Sequence, residues 1–236
     1  MIGAGPAGEE KQPPALDDPG LLHVLATEHW SLLATRSLTY SESLSRVSMF
    51  LSVLSGAVIA LALVAQADHF GNTFVLVAIL ILSVVLFVGV ATAVRLGRLN
   101  EDDLRWVMGM NRLRHAYLER HPEAAQYFVA SAFDDFGGVA LTTGATRPVG
   151  PGIGQLGHGV QTLPGMISIL SAVVAASLSG LIAHALGGPQ WAVLATAIGT
   201  FLVAGAFMFF LAWRSFTRFR AEFAPRFPST GTPKRQ

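Results

Sequence analysis

Three residue patterns in this chain are of the kinds that carry chemistry. The opening MIGAGPAG sets Gly3, Gly5 and Gly8 in the spacing GxGxxG, which in dinucleotide-binding proteins lets a backbone turn approach a pyrophosphate. That turn works only between a strand and a helix whose N-terminus meets the phosphates. Here only Met1 and Ile2 precede the glycines and EEKQPPALDDPG follows, so no βαβ unit forms around them. Gly152, Gly154 and Gly157 repeat the spacing in a Gly-rich stretch with no strand before it. Neither match predicts a cofactor, and none is expected.

The second pattern is histidine. His23, His29, His69, His115, His121, His158 and His184 form no HxH or HxxxH pair within an apolar stretch. His69 follows Asp68, and His184 ends another apolar stretch; brought together, these ends would offer a proton or metal site. Histidines tolerated at the ends of membrane helices are the commoner explanation. No Ser, His and acidic residue are spaced as a triad, and no pair of carboxylates lies in an apolar stretch. The absence of cysteine removes thiolate metal sites and cysteine nucleophiles. A non-enzyme without metal is the expectation.

Small residues at helical spacing make the third pattern. Ser48, Ser52, Gly56 and Ala60 form one stripe, and Gly89, Ala93 and Gly97 a second. Ser168, Ala172, Ala176 and Gly180 form a third, Ala195 and Gly199 a fourth. Such stripes let helices approach closely in lipid, within a chain or between subunits. In the alternative reading, the hydroxyls at 48, 52, 55, 83, 168, 171, 196 and 200 line a narrow polar path.

The elements that must position these residues follow from where charge is missing. Only 13% of residues are charged, against roughly a quarter in a soluble domain. Between Val47 and Val94 the only charged side chain is Asp68, and from Pro164 to Trp213 there is none. A helix needs about 20 apolar residues to cross the hydrocarbon. Four stretches qualify: about 47–66, 73–94, 165–184 and 191–213. The links AQADHFGN and HALGGPQ are long enough only for tight turns, giving two helical hairpins. No ionisable residue lies near the centre of any span, where transport and proton-relay groups are usually placed.

Every Lys and Arg falls outside the spans and their two short turns. The positive-inside rule therefore predicts a multi-pass protein of the inner (plasma) membrane, with both termini and the middle segment cytoplasmic. Trp191 and Trp213 bracket the fourth span as interfacial anchors. A net charge of +1 argues against nucleic acid as a partner.

Six segments are expected. Residues 1–20 are a disordered, Pro- and Gly-rich tail, and 21–46 an amphipathic helix that either continues into the first span or lies on the membrane. Residues 47–94 and 164–213 are the hairpins, 95–163 a small helical segment with a Gly-rich linker, and 214–236 a basic tail. Asp17 or Asp18 caps the first helix ahead of Pro19, Asn100 caps a new helix after the second span, and Pro122 opens a short one, PEAAQYFVA.

The block LATEHWSLLATRSLTYSESLSRVSMFLSVLSGAVIALALVAQ, with RWVMGMNRLRHAYLE further on, resembles uncharacterised four-span integral membrane proteins of actinobacteria. The resemblance implies a fold and no activity. Residues 22–95, a helix leading into a tight two-span hairpin, are also similar in architecture to SLATT-type membrane effectors, which are thought to form pores. The expected fold class is all-α: a polytopic membrane protein with four transmembrane helices in two hairpins and a small helical cytoplasmic segment. The expected role is an oligomerising structural or interaction protein, in contact with the lipid bilayer, itself and a cytoplasmic protein. An oligomeric pore or channel is the alternative.

Overall fold

The computed structural model describes residues 18–144, 162–222 and 224–229. Within them the chain is all-α, with no strand, and four helices are long and apolar enough to cross a membrane. The 1–17 part of the N-terminal tail, both GxGxxG matches and most of the Gly-rich linker lie outside the described residues.

Helix α1 spans Pro19–Asp68. The Asp18 carboxylate accepts the Gly20 amide at 2.9 Å, and Pro19 sits in the first turn where a missing N–H costs nothing. No proline follows, so the amphipathic segment and the first span are one helix of 50 residues, about 75 Å long. Of the two expected arrangements, the structure has the one in which residues 21–46 continue into the first span. The turn places His69 (φ 47°) and Phe70 (φ 61°) in the left-handed region, at a cost of about 1 kcal/mol or more each. Asp68 holds the turn: its carbonyl accepts the Gly71 amide at 2.9 Å, and its Oδ2 accepts the Phe74 amide at 2.8 Å.

Helix α2 runs Asn72–Arg120 without interruption, which corrects the expected new start at Asn100. Gly97 inside a helix costs about 1 kcal/mol; burial of Leu96 and Leu99 beside it and the pairing of Arg95 with Glu42 offset that. After α2, Pro122–Tyr127 forms a 3-10 helix of six residues, shorter than the helix expected there, because Phe128 turns extended (ψ 116°) and its amide closes on Ala125. Helix α3 is Phe136–Thr143, α4 Leu163–Ala185 and α5 Gln190–Glu222. Gly187 (φ 78°) ends α4 in a left-handed turn.

α1 and α2 pair antiparallel along their whole length, α4 packs on α2, and α5 packs on α4. Among the described residues α1 and α5 do not touch, so the bundle is open, with α2 and α4 inside and α1 and α5 on the flanks. One core forms where α1, α2 and α4 meet, around Phe50, Val85, Leu96, Ile167 and Val174. Gly89 makes it possible: a Cβ there would stand 2.5 Å from Ser171 Oγ and 2.9 Å from the Phe50 ring. A second core, around Val107, Met110, Val139 and Phe219, ties the far ends of α2 and α5 to α3.

Candidate functional site

Beyond the spans, the α1/α2 pair is held by polar contacts. Arg36 donates to Asp103 at 2.7 Å, Arg95 reaches Glu42 at 3.0 Å, and His29 stacks on Tyr117 with ring centroids 5.9 Å apart. Leu32 fills the space over Gly109. Where this pair meets the start of α4, an open cleft of about 730 Å³ is lined by Arg36, Tyr40, Leu96, Asn100, Asp103 and Pro164.

The densest polar site lies at the end of α2. Asn111 is fully buried: its amide donates to the Phe133 carbonyl at 2.8 Å, and its Oδ1 accepts from Arg114 and Thr142. This fixes the FDDFGG turn that opens α3. Gly138 lets that turn close, since a Cβ there would collide with the Phe133 carbonyl. The turn aims two carboxylates at residues 224–229. Asp134, with no exposed surface, accepts from Arg112 Nε at 2.6 Å and from the amides of Arg226 (2.9 Å) and Phe227 (2.8 Å). Its own amide donates to the Phe227 carbonyl at 3.2 Å. Arg112 Nη2 donates to the Ala224 carbonyl at 3.1 Å, and His115 stacks on the Phe227 ring at 4.2 Å. Asp135 caps α3 through the Gly138 amide at 2.7 Å while its Oδ2 accepts the Ser229 amide and hydroxyl.

Burying a carboxylate costs several kcal/mol unless hydrogen bonds to the charged form repay it. Burial alone raises the Asp134 pKa, but the Arg226 and Phe227 amides and the Arg112 guanidinium outweigh it and hold the carboxyl below the usual aspartate range. For Asp135 the same competition between burial and bonds from Ser229 and Gly138 ends in the same direction.

The small-residue candidates divide. Gly89, Ala93, Ala172 and Gly180 are buried between helices, with Gly180 against Ala197 and Val193; Ala176 and Ser168 are half-buried. Ser48, Ser52 and Gly56 face away from α2; Ala60 is partly covered. Added Cβ atoms at Gly56, Gly97 and Gly199 would meet nothing within 4 Å. The hydroxyls proposed for a polar path are not brought together in one chain: Ser171 is buried against Gly89, whereas Ser48, Ser52, Ser55 and Ser83 are exposed, and Ser52, Ser83 and Ser171 bond to carbonyls one turn back.

The outward face of α1 has a longer order than the stripe suggested. Thr27, Ser31, Ala34, Leu38, Ser41, Ser45, Ser48, Ser52, Ser55, Ile59 and Ala62 recur at alternating steps of four and three, and every one is exposed. These positions have heptad spacing, and seven of the eleven residues carry hydroxyls. The line they form, a seam along α1, runs from the extramembrane half of the helix into the span. Outside the apolar stretch it is flanked by Trp30, 72% exposed, and Leu38 on it is also 72% exposed.

At the opposite end of the molecule, His184 lines a shallow groove of about 570 Å³ with Phe70 and Asn72, and His69 is not among its lining residues. Among the described residues no group of three His, Asp or Glu is placed to hold a metal ion.

Fold and site together define the class: an all-α polytopic membrane protein whose extramembrane head clasps the segment following its last helix. No family model, curated protein or solved structure matches the chain. Sequence reasoning missed Asn111, Arg112, Asp134 and Asp135. The available signal was two adjacent acids before a Gly-Gly pair, in a segment otherwise rich in arginine.

Proposed function

We propose that the chain is a non-catalytic protein of the inner membrane that self-associates along the outer face of α1 and presents its head, on the cytoplasmic side, to a protein partner. The observation that carries this reading is the α1 seam. Small residues at nine of its eleven positions, all but Leu38 and Ile59, let two parallel helices approach closely in lipid. The same register continues beyond the span, where lipid cannot cover Trp30 and Leu38 and water does so at a cost. A second α1 in parallel covers both halves at once. The one-sided distribution of Lys and Arg supports the orientation.

Because the chain has no cysteine, single cysteines report the seam without background. Under mild oxidation in membranes, Ser45→Cys, on the seam, is expected to give a disulfide-linked dimer, and Ser43→Cys, turned toward α2, is not. Equal cross-linking at both positions, or at neither, would remove the seam as the interface.

A pore is the second reading, favoured by the exposed run Ser41, Ser45, Ser48, Ser52 and Ser55. A ring of four or more copies with these hydroxyls around its axis is its signature. The native mass in lipid nanodiscs, followed by ion flux in proteoliposomes, separates it from a dimer.

A further inference from the structure

The contacts between the head and residues 224–229 are those of a receptor with an extended peptide. Asp134 takes two consecutive amides and returns one N–H to the Phe227 carbonyl. Arg112 takes the Ala224 carbonyl, His115 the Phe227 ring, and Asp135 the Ser229 amide and hydroxyl. Most of this recognition is of backbone. It therefore demands free N–H groups at the two central positions and an aromatic ring at the second, and is tolerant elsewhere. Pro225 and Pro228 stand where no N–H to the cradle is required. They also bias the residues before them, Ala224 and Phe227, toward extended backbone, which lowers the entropy lost on docking.

We infer that the Asp134–Asp135 cradle is a peptide-recognition site occupied in cis by residues 224–229, and that a protein partner engages the head by presenting an extended, proline-flanked aromatic segment of the same kind. This rests on the reading of the head as a partner-facing surface. Ala224 lies two positions past the end of α5, which packs on the head through Phe219. So short a tether gives the cis segment an effective concentration of about millimolar or more, and a modest intrinsic affinity then suffices to keep the site closed. A partner segment enters by outcompeting that concentration, and its entry releases the chain's own segment.

The test changes the ligand and spares the receptor. In the full chain in nanodiscs, Phe227→Ala with Ser229→Ala weakens the cis segment and leaves Arg112, His115, Asp134 and Asp135 in place. A fluorescent peptide of sequence Ala-Pro-Arg-Phe-Pro-Ser is expected to bind this variant about ten-fold or more tighter than the native chain. Binding is expected to be lost when the peptide's Phe is Ala, and when Asp134→Asn is added to the variant. Equal binding to native chain and variant, or indifference to Asp134→Asn, overturns the inference. A second measurement needs no variant: the Arg226 and Phe227 amides of the native chain must exchange hydrogen faster than the α2 and α5 amides they adjoin. Exchange only together with those helices means that the segment is fixed core, and the inference fails. Native mass read in the same nanodiscs keeps this outcome separate from failure of the self-association reading.

Discussion

Arg112 Nε stands 2.6 Å from Asp134 Oδ2, and the same guanidinium donates through Nη2 to the Ala224 carbonyl. One side chain thus ties α2 to the turn before α3 and to the segment after α5. Removing it leaves a fully buried carboxylate with only two amide donors. The buried-pair penalty is about 3–5 kcal/mol; the Arg112 side chain is 35% exposed, which lowers the expectation to about 2 kcal/mol. Arg112→Ala is therefore expected to speed hydrogen exchange at the Arg226 and Phe227 amides about 30-fold. Arg112→Lys recovers only part of this, since a single ammonium does not bridge both oxygens as the planar fork does.

Acid should open the cradle before it melts the spans. The pKa values of Asp134 and Asp135 are lowered in the folded chain. Their contribution is then fully present above the ordinary aspartate value, about 3.9, and lost as pH falls through the lower folded values. Limited proteolysis at residues 224–229 is expected to stay slow from neutral pH to about pH 4 and to accelerate below it while helix content holds. A site that opened well above pH 4 would mean that the two carboxylates do not hold it.

The four spans were legible because a membrane imposes a one-dimensional constraint: length and absence of charge identify a crossing helix whatever it packs against. Local signals served where they were self-contained, as with Asp18 and Pro19 at the start of α1. They misled at Asn100, where an acceptable cap sequence lies inside α2, because cap preferences are worth about 1 kcal/mol and the pairing of α1 with α2 outweighs them. The cradle was out of reach for a different reason. Asp134 and Phe227 are 93 positions apart, and nothing periodic links them. The α1 seam was half-seen: Ser48, Ser52 and Gly56 suggested a four-residue stripe, and only the exposed face of the folded helix shows the heptad that extends it to Thr27 and Ala62.

Asp68, the only charged residue between Val47 and Val94, is spent on structure. Its Oδ2 accepts the Phe74 amide and its carbonyl closes on Gly71. Asp68→Ala is expected to cost about 1 kcal/mol through the lost cap, and Asp68→Asn only a few tenths, because an amide oxygen accepts the same bond. Thermal unfolding in detergent checks both. If Asp68→Asn proved as damaging as Asp68→Ala, or if added zinc shifted the midpoint of the native chain, a charge-dependent site with His69 or His184 would replace this account.

Gly89 and Gly56 are both small residues within the spans, and the structure gives them opposite roles. A Cβ on Gly89 meets Ser171 Oγ at 2.5 Å and the Phe50 ring at 2.9 Å, so Gly89→Ala must push α4 or Phe50 aside. Overpacking of this kind costs about 1–3 kcal/mol, and the loss should appear as lower abundance and a lower unfolding temperature. Ser171→Ala in the same chain removes the nearer clash and should return part of the loss, a coupling that independent sites do not show. A Cβ on Gly56 meets nothing within 4 Å, so Gly56→Ala should leave the folded chain intact or firmer by up to about 1 kcal/mol, the gain in helix propensity. Gly56→Leu places a bulky side chain between Ser52 and Ser55 and Ile59 on the seam side of α1. It should keep the unfolding temperature and abundance of the native chain while reducing cross-linking of the Ser45→Cys reporter. Loss of folding with Gly56→Leu would mean that this face is packed within the chain after all; unchanged folding with unchanged cross-linking would move the interface elsewhere.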